Sequence, residues 1–237
     1  MTKMLIIGAG KLAQHLNHYL HILELSPLSW DRTQDPLLLK TKISQASHIL
    51  LAISDSAIEN FYRTQLAGFD KTVVHFSGAL HIPDLIAAHP LMSFGPQLYD
   101  RDTYFRIHFT LTGADSLLDA LPGLPNSFAV LVPEKKALYH SLCVMGGNFP
   151  VILWQKMLGE FESLGISKEA ARVYLETILD NTLRNPQTAL TGPLARKDKQ
   201  TVMKNLEALK GDEFQKIYLA FIDTVTPGLL EKKKRDL

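Results

Sequence analysis

The sequence predicts an α/β protein, a Rossmann-type doubly wound parallel sheet followed by an all-helical C-terminal domain, on three observations. An apolar run, Met4-Leu5-Ile6-Ile7, enters Gly8-Ala9-Gly10 and then a helical apolar spacing at Leu12, Leu16, Tyr19 and Leu20. Further apolar runs of strand length then alternate with helical stretches, the rhythm of a parallel sheet. From Pro133 onward only helical periodicity continues. We therefore expect a dinucleotide-binding domain over 1–132 and an all-helical substrate and dimerisation domain over 133–237.

The first element is the most informative. In the pattern G-x-G-x-x-A, Gly8 allows the sharp bend, Gly10 lets a pyrophosphate approach the backbone, and Ala13 lets the helix lie close to its strand. Lys11 and Leu12 open the helix, whose free N–H groups and positive dipole end favour a diphosphate. A second strand is expected over 25–30, ending at Asp31-Arg32, where such folds read the adenosine ribose. Asp31 suits the two ribose hydroxyls and NAD, whereas Arg32 suits a 2′-phosphate and NADP, and the sequence leaves both open.

A short helix over 36–46 follows, then a buried strand at 48–53, with Ser54-Asp55-Ser56 capping the next helix. Another buried strand at 71–76 ends at Ser77-Gly78. Ser54, Asp55, Ser77 and Gly78 thus stand at carboxyl ends of strands, where such sheets bind their ligands. An irregular region contains His89-Pro90, and strands are expected at 105–112 and 128–132. Helices are expected at 137–148, 151–164, 168–183, 199–209 and 213–223, with Asn148 and Pro150 interrupting the first pair.

Composition narrows the function. The chain has 237 residues, 46% of them apolar, enough for a full core. A formal charge of +1 leaves no footprint for nucleic acid or an anionic membrane. Cys143 is the only cysteine, so an intrachain disulfide and a cysteine-based zinc site are excluded. The four-residue apolar start is too short for a signal peptide, and no apolar run reaches membrane-spanning length, so a cytoplasmic location is expected. The charged run 231–236 reads as a solvated tail.

Hydride transfer to a carbonyl or imine requires a proton donor and orienting groups near the substrate heteroatom. The candidates are His89, His140, Asn148 and Ser77, with Thr191 and Arg196 available to an anionic substrate group. His140 and Asn148 lie about two turns apart on one expected helix. His75, inside an apolar strand, reads as structural. The histidines show no metal-ligand spacing, so no metal is expected.

Several stretches together carry a family resemblance. They are Gly8-Ala9-Gly10, Leu51-Ala52-Ile53-Ser54-Asp55-Ser56-Ala57-Ile58, His75-Phe76-Ser77-Gly78-Ala79 and His89-Pro90-Leu91-Met92-Ser93-Phe94. Tyr139-His140 with Asn148 and Ala189-Leu190-Thr191-Gly192-Pro193-Leu194-Ala195-Arg196-Lys197-Asp198 continue them. The chain resembles the uncharacterised Rossmann-plus-helical NADP oxidoreductase-like proteins of the 6-phosphogluconate dehydrogenase-like superfamily, relatives of deazaflavin-dependent NADP oxidoreductase, pyrroline-carboxylate reductase and ketopantoate reductase. The resemblance implies an NAD(P)-dependent oxidoreductase, with NADP favoured and NAD possible, acting on a small carbonyl, imine or hydroxy acid in an interdomain cleft, and it implies a homodimer.

There are two departures. The family shows Arg-Gly-Asp where this chain has Arg196-Lys197-Asp198, and no residue is matched to the lysine that often catalyses at the start of the superfamily's helical domain. A non-catalytic dinucleotide sensor or scaffold is the alternative reading.

Overall fold

The computed structural model describes residues 3–231, so residues 232–236 of the charged run lie outside it. The chain divides into two compact units, Met1–Leu153 and Trp154–Leu237.

The first unit is built on a seven-stranded sheet. In chain order it comprises β1 (Met4–Ile7), α1 (Lys11–Ile22), β2 (Leu28–Trp30), α2 (Pro36–Gln45), β3 (His48–Leu51) and α3 (Asp55–Phe61). There follow β4 (Thr72–His75), β5 (Ile86–Pro90), α4 (Arg101–Phe105), β6 (Phe109–Thr112), α5 (Leu117–Ala120), β7 (Phe128–Val130) and α6 (Lys136–Cys143). The spatial order is β2-β1-β3-β4-β5-β6-β7. Every pairing is parallel except β5 with β6, which is antiparallel.

The central strands are buried on both faces, and alternate residues feed two cores. Met4, Ile6, Leu50 and Val74 pack with Leu16, Tyr19 and Leu20 of α1 and with Tyr104. Leu5, Ile7, Ile49, Leu51 and Val73 pack on the other side with Leu39 and Ile43 of α2 and Ile58 of α3. A polar network stiffens the first core. His15 gives its Nε2 proton to the Gly95 carbonyl at 3.0 Å, so its Nδ1 accepts from the Tyr104 hydroxyl at 2.8 Å. Tyr19 stacks on Tyr104 and donates to Asn126 at 2.6 Å.

Three expectations differ from the structure. The strand expected from residue 105 begins only at Phe109, because Asp100 accepts from the Thr103 N–H and caps α4. The strand β5 was not expected, since Ala87, Ala88 and Pro90 are poor strand formers; its buried central place in the sheet decides it. The interruption expected around Asn148 and Pro150 is absent. A π turn, Val144–Asn148, joins α6 to α7 (Phe149–Ser163), and Pro150 sits in the first turn of α7 where its missing N–H costs little.

The division between the units falls within α7. The second unit contains α8 (Lys168–Arg184), α9 (Gly192–Ala195), α10 (Lys199–Ala208) and α11 (Phe214–Val225). Lys156 bonds Glu160 at 2.7 Å and Asp212 at 2.5 Å, tying α7 to the approach to α11. Among the described residues no helix is long and apolar enough to cross a membrane.

Lys197, the residue standing where the resembled family has glycine, has φ +54°, and Asp198 behind it caps α10 by accepting from Thr201. The left-handed shape is therefore kept at the expense of a Cβ clash. Lys197→Gly is expected to raise unfolding stability by up to about 1 kcal/mol, read as a higher denaturant midpoint at unchanged slope.

Candidate functional site

The chain leaves β1 to form β2 on one side and returns to form β3 on the other, so a crevice opens at the carboxyl ends of β1 and β3. The glycine turn crosses its floor. Gly8 has φ +129°, and a Cβ there would collide with the carbonyl oxygen of Ala52 at the end of β3. Around Gly10, by contrast, an added Cβ would meet nothing within 4 Å, so its backbone faces open space. No side chain caps the first N–H groups of α1. They open on a cleft of about 700 Å³. Gly8, Gly10, Lys11, Leu12, Asp31, Arg32 and Ser54 all line it.

The two ribose candidates are not equivalent. Asp31 is engaged by its own loop, accepting from Thr33 Oγ1 at 2.5 Å, Thr33 N at 2.9 Å and Gln34 Nε2 at 3.3 Å. These bonds from Thr33 hold its carboxyl below the usual carboxylate range. Arg32 is exposed and makes no ion pair among the described residues. A free guanidinium beside an occupied carboxylate fits a phosphate better than a diol. The open glycine backbone, the uncapped helix start and the cationic rim together fit a dinucleotide.

Asp55, next to Ser54, turns away from this cleft into a second group of polar residues. The Ser77 hydroxyl donates to Asp55 at 2.6 Å and accepts from the N–H groups of Ala79 and Leu80. The Ser77 N–H donates to His75 Nδ1 at 3.2 Å, and the Ser77 carbonyl accepts from Lys136 Nζ at 3.3 Å. His89 Nδ1 meets the Tyr139 hydroxyl at 2.9 Å. His89 and His140 stand edge to face, with ring centroids 5.9 Å apart. Both rings overhang Gly78, where a Cβ would lie 2.5 Å from His140 Nδ1 and 3.1 Å from His89 Nε2.

Burial governs the charges here. It pushes His89 down to about 4, helped by the neighbouring His140 and Lys136, and His75 likewise to about 4. It lowers Lys136 as well, against the pull of the Asp55 carboxylate. The Tyr139 hydroxyl is raised to about 12 by burial. Two buried atoms lack a hydrogen-bond partner, His75 Nε2 and His140 Nδ1.

The structure therefore brings His89, His140, Ser77 and Asp55 together, and sets the remaining dinucleotide candidates around the cleft beside them. Asn148 is exposed in the π turn, and no hydrogen bond among the described residues joins it to this group. Lys136 is the residue sequence reasoning missed. It is 2% exposed although it sits in the charged run Glu134-Lys135-Lys136. The signal was the spacing i, i+3, i+4, i+7 of Lys136, Tyr139, His140 and Cys143, one face of a helix.

A His89 depressed below its unfolded value of 6.5 leaves the unfolded chain to bind the proton first on acidification. Stability is thus fully present above about 6.5 and falls as pH drops toward about 4, with His75 adding to the same loss. Imidazole NMR is expected to show His89 titrating near 4, and Lys136→Met to raise that value by removing a neighbouring positive charge.

Comparison with known proteins bears on the fold. Residues 107–224 match the family model described as "Domain of unknown function (DUF2520)". No curated protein matches the sequence. Among solved structures, a Bacteroides fragilis protein described as a "putative NADP oxidoreductase" shares 20% identity at a TM-score of 0.77, covering 94% of this chain and 97% of its own. A Thermotoga maritima protein shares 20% at 0.62, covering 94% and 96%. A reductive aminase of Aspergillus terreus, in complex with NADPH and ethyl levulinate, shares 14% at 0.61, covering 97% and 94%. In fold, this chain is one of the Rossmann-plus-helical oxidoreductase-like proteins, with a DUF2520 match over residues 107–224.

Proposed function

We propose that the chain is an NADP(H)-dependent oxidoreductase acting on a small anionic carbonyl or imine compound, or on the corresponding hydroxy acid or amine in reverse. Residues 1–132 bind the dinucleotide, and 133–237 serve substrate and dimer contacts. The observation that carries the reading is the buried ammonium of Lys136, held on the Ser77 carbonyl directly beside the Ser54–Asp55 wall of the glycine-turn cleft. A buried cation at this position is retained for chemistry more readily than for stability.

Gly10, Lys11 and the start of α1 hold the pyrophosphate, and Arg32 holds a 2′-phosphate. A bound reduced nicotinamide supplies hydride to the substrate carbon. Lys136 Nζ carries the proton that goes to the substrate oxygen or nitrogen, so the product is an alcohol or amine. Burial weakens its hold on that proton, and Asp55 keeps the group charged until it is needed. The Ser77 carbonyl aims the ammonium, while His89 and His140, both at the same strand ends, orient the substrate.

A homodimer follows from the outer face of the same helical run. Leu138, Leu142, Met145, Phe149 and Ile152 recur at spacings of 4, 3, 4 and 3 and are 46–61% exposed. That is the seam of a helix awaiting another helix. Continuity with the site helix and the family resemblance favour a second copy of this chain as the occupant.

Fluorescence titration with NADPH tests the cofactor. Arg32→Ala is expected to weaken NADPH about tenfold or more while sparing NADH, and Gly10→Val to abolish binding of both without lowering the melting temperature. Lys136→Met is expected to retain NADPH but lose turnover by about a hundredfold or more. NADPH binding without turnover across a broad panel of small carbonyls and imines would instead establish the sensor reading. Leu142→Glu with Phe149→Glu is expected to yield a monomer by light scattering.

A further inference from the structure

The pair of imidazoles over Gly78 has no occupation within the protein. Gly78 does not need glycine for its backbone, since its φ lies outside the left-handed region, and it needs glycine only for room. That room is filled by two rings from separate elements, His89 of β5 and His140 of α6, whose nitrogens Nε2 and Nδ1 both come within 3.1 Å of one point. His140 Nδ1 is buried and unpartnered. His89 Nδ1 is already engaged by Tyr139, which leaves Nε2 as the edge facing His140.

The charge inventory around the pair is one-sided. Lys136 and Tyr139 face it from α6, with Cys143 next to Tyr139; His75 lies at the end of β4, with His81 just beyond; Asp55 comes from α3. Asp55 is the one carboxylate in this set, and its Oδ2 is occupied by Ser77. An unpartnered ring nitrogen in such a place costs free energy unless a ligand meets it. A group of imidazoles and an ammonium short of negative charge favours an anion.

We propose that His89 and His140, seated on Gly78, form a two-imidazole cradle that binds the carboxylate of the substrate and takes up a proton as it does so. Gly78 is a positioning residue in this arrangement. The proposal rests on the oxidoreductase reading only for the word substrate; the anion site itself stands on the geometry. The bound carboxylate supplies the counter-charge that the free site lacks, so a ring that is neutral when the site is empty becomes protonated when it is full. Binding therefore strengthens as pH falls through the range between the bound-state and free-state values, and levels off below about 4, where His89 is protonated in both.

The test is calorimetry of the full chain with glycolate and with its neutral counterpart glycolamide, near pH 5.5 and pH 7.5, in buffers of different ionisation enthalpy. Glycolate is expected to bind with net proton uptake and about tenfold more tightly at the lower pH, and glycolamide to bind about tenfold more weakly than glycolate there. His140→Gln is expected to remove the uptake. Gly78→Ala, whose Cβ displaces His140, is expected to do the same, and imidazole NMR reads the ring directly in each variant. Equal binding of glycolamide, binding without uptake, or no binding of glycolate up to about 50 mM overturns the proposal. NADPH titration of the same samples separates the two readings. NADPH binding without the linked uptake removes the cradle alone, and loss of both removes both.

Discussion

The turn Ser77-Gly78 organises the candidate site. Its hydroxyl fixes Asp55, its N–H fixes the tautomer of His75, its carbonyl aims Lys136, and the bare Cα of Gly78 admits His89 and His140. Two residues thereby set the positions of five functional side chains drawn from α3, β4, β5 and α6. Such a turn can be relied on because β4 beneath it is paired on both sides and buried, so its carboxyl end has little freedom to move.

The glycine turn works by a different logic. Gly8 is fixed by contact with β3, and its smallness serves the sheet; Gly10 touches nothing, and its smallness serves whatever enters the cleft. One pair of residues thus joins a structural constraint to a binding constraint within three positions of chain. Asp31 shows the reverse case, a side chain suited to a ligand but committed to its own loop by Thr33 and Gln34.

Much of this was legible in the sequence. The order of strands and helices from Met4 to His75 followed from apolar runs and caps, because parallel strands buried on both faces leave an unmistakable composition. The glycine turn, Arg32, Ser77 and His89 were found because strand ends are where such sheets bind ligands. The strand Ile86–Pro90 was hidden because position in the sheet, and not its alanines and proline, makes it a strand. Lys136 was hidden by its neighbours Glu134 and Lys135: a charged run reads as solvent-facing until helical phase shows which member turns inward. The preference between Asp31 and Arg32 lies in hydrogen bonds of a four-residue loop, which composition does not report.

The helical run beyond Lys136 has two faces with separate duties, and the π turn Val144–Asn148 sets the phase between them. Phe149 N–H reaches back five residues to Val144, one more than an α-helix allows. Removing a single residue from that turn would restore ordinary winding and rotate everything after it by about 100° relative to Lys136 and His140. Phe149 and Ile152 would then leave the line of Leu138 and Leu142. The length of this segment is therefore held more tightly than its composition: glycine, methionine or valine can be exchanged there, but the number of residues cannot.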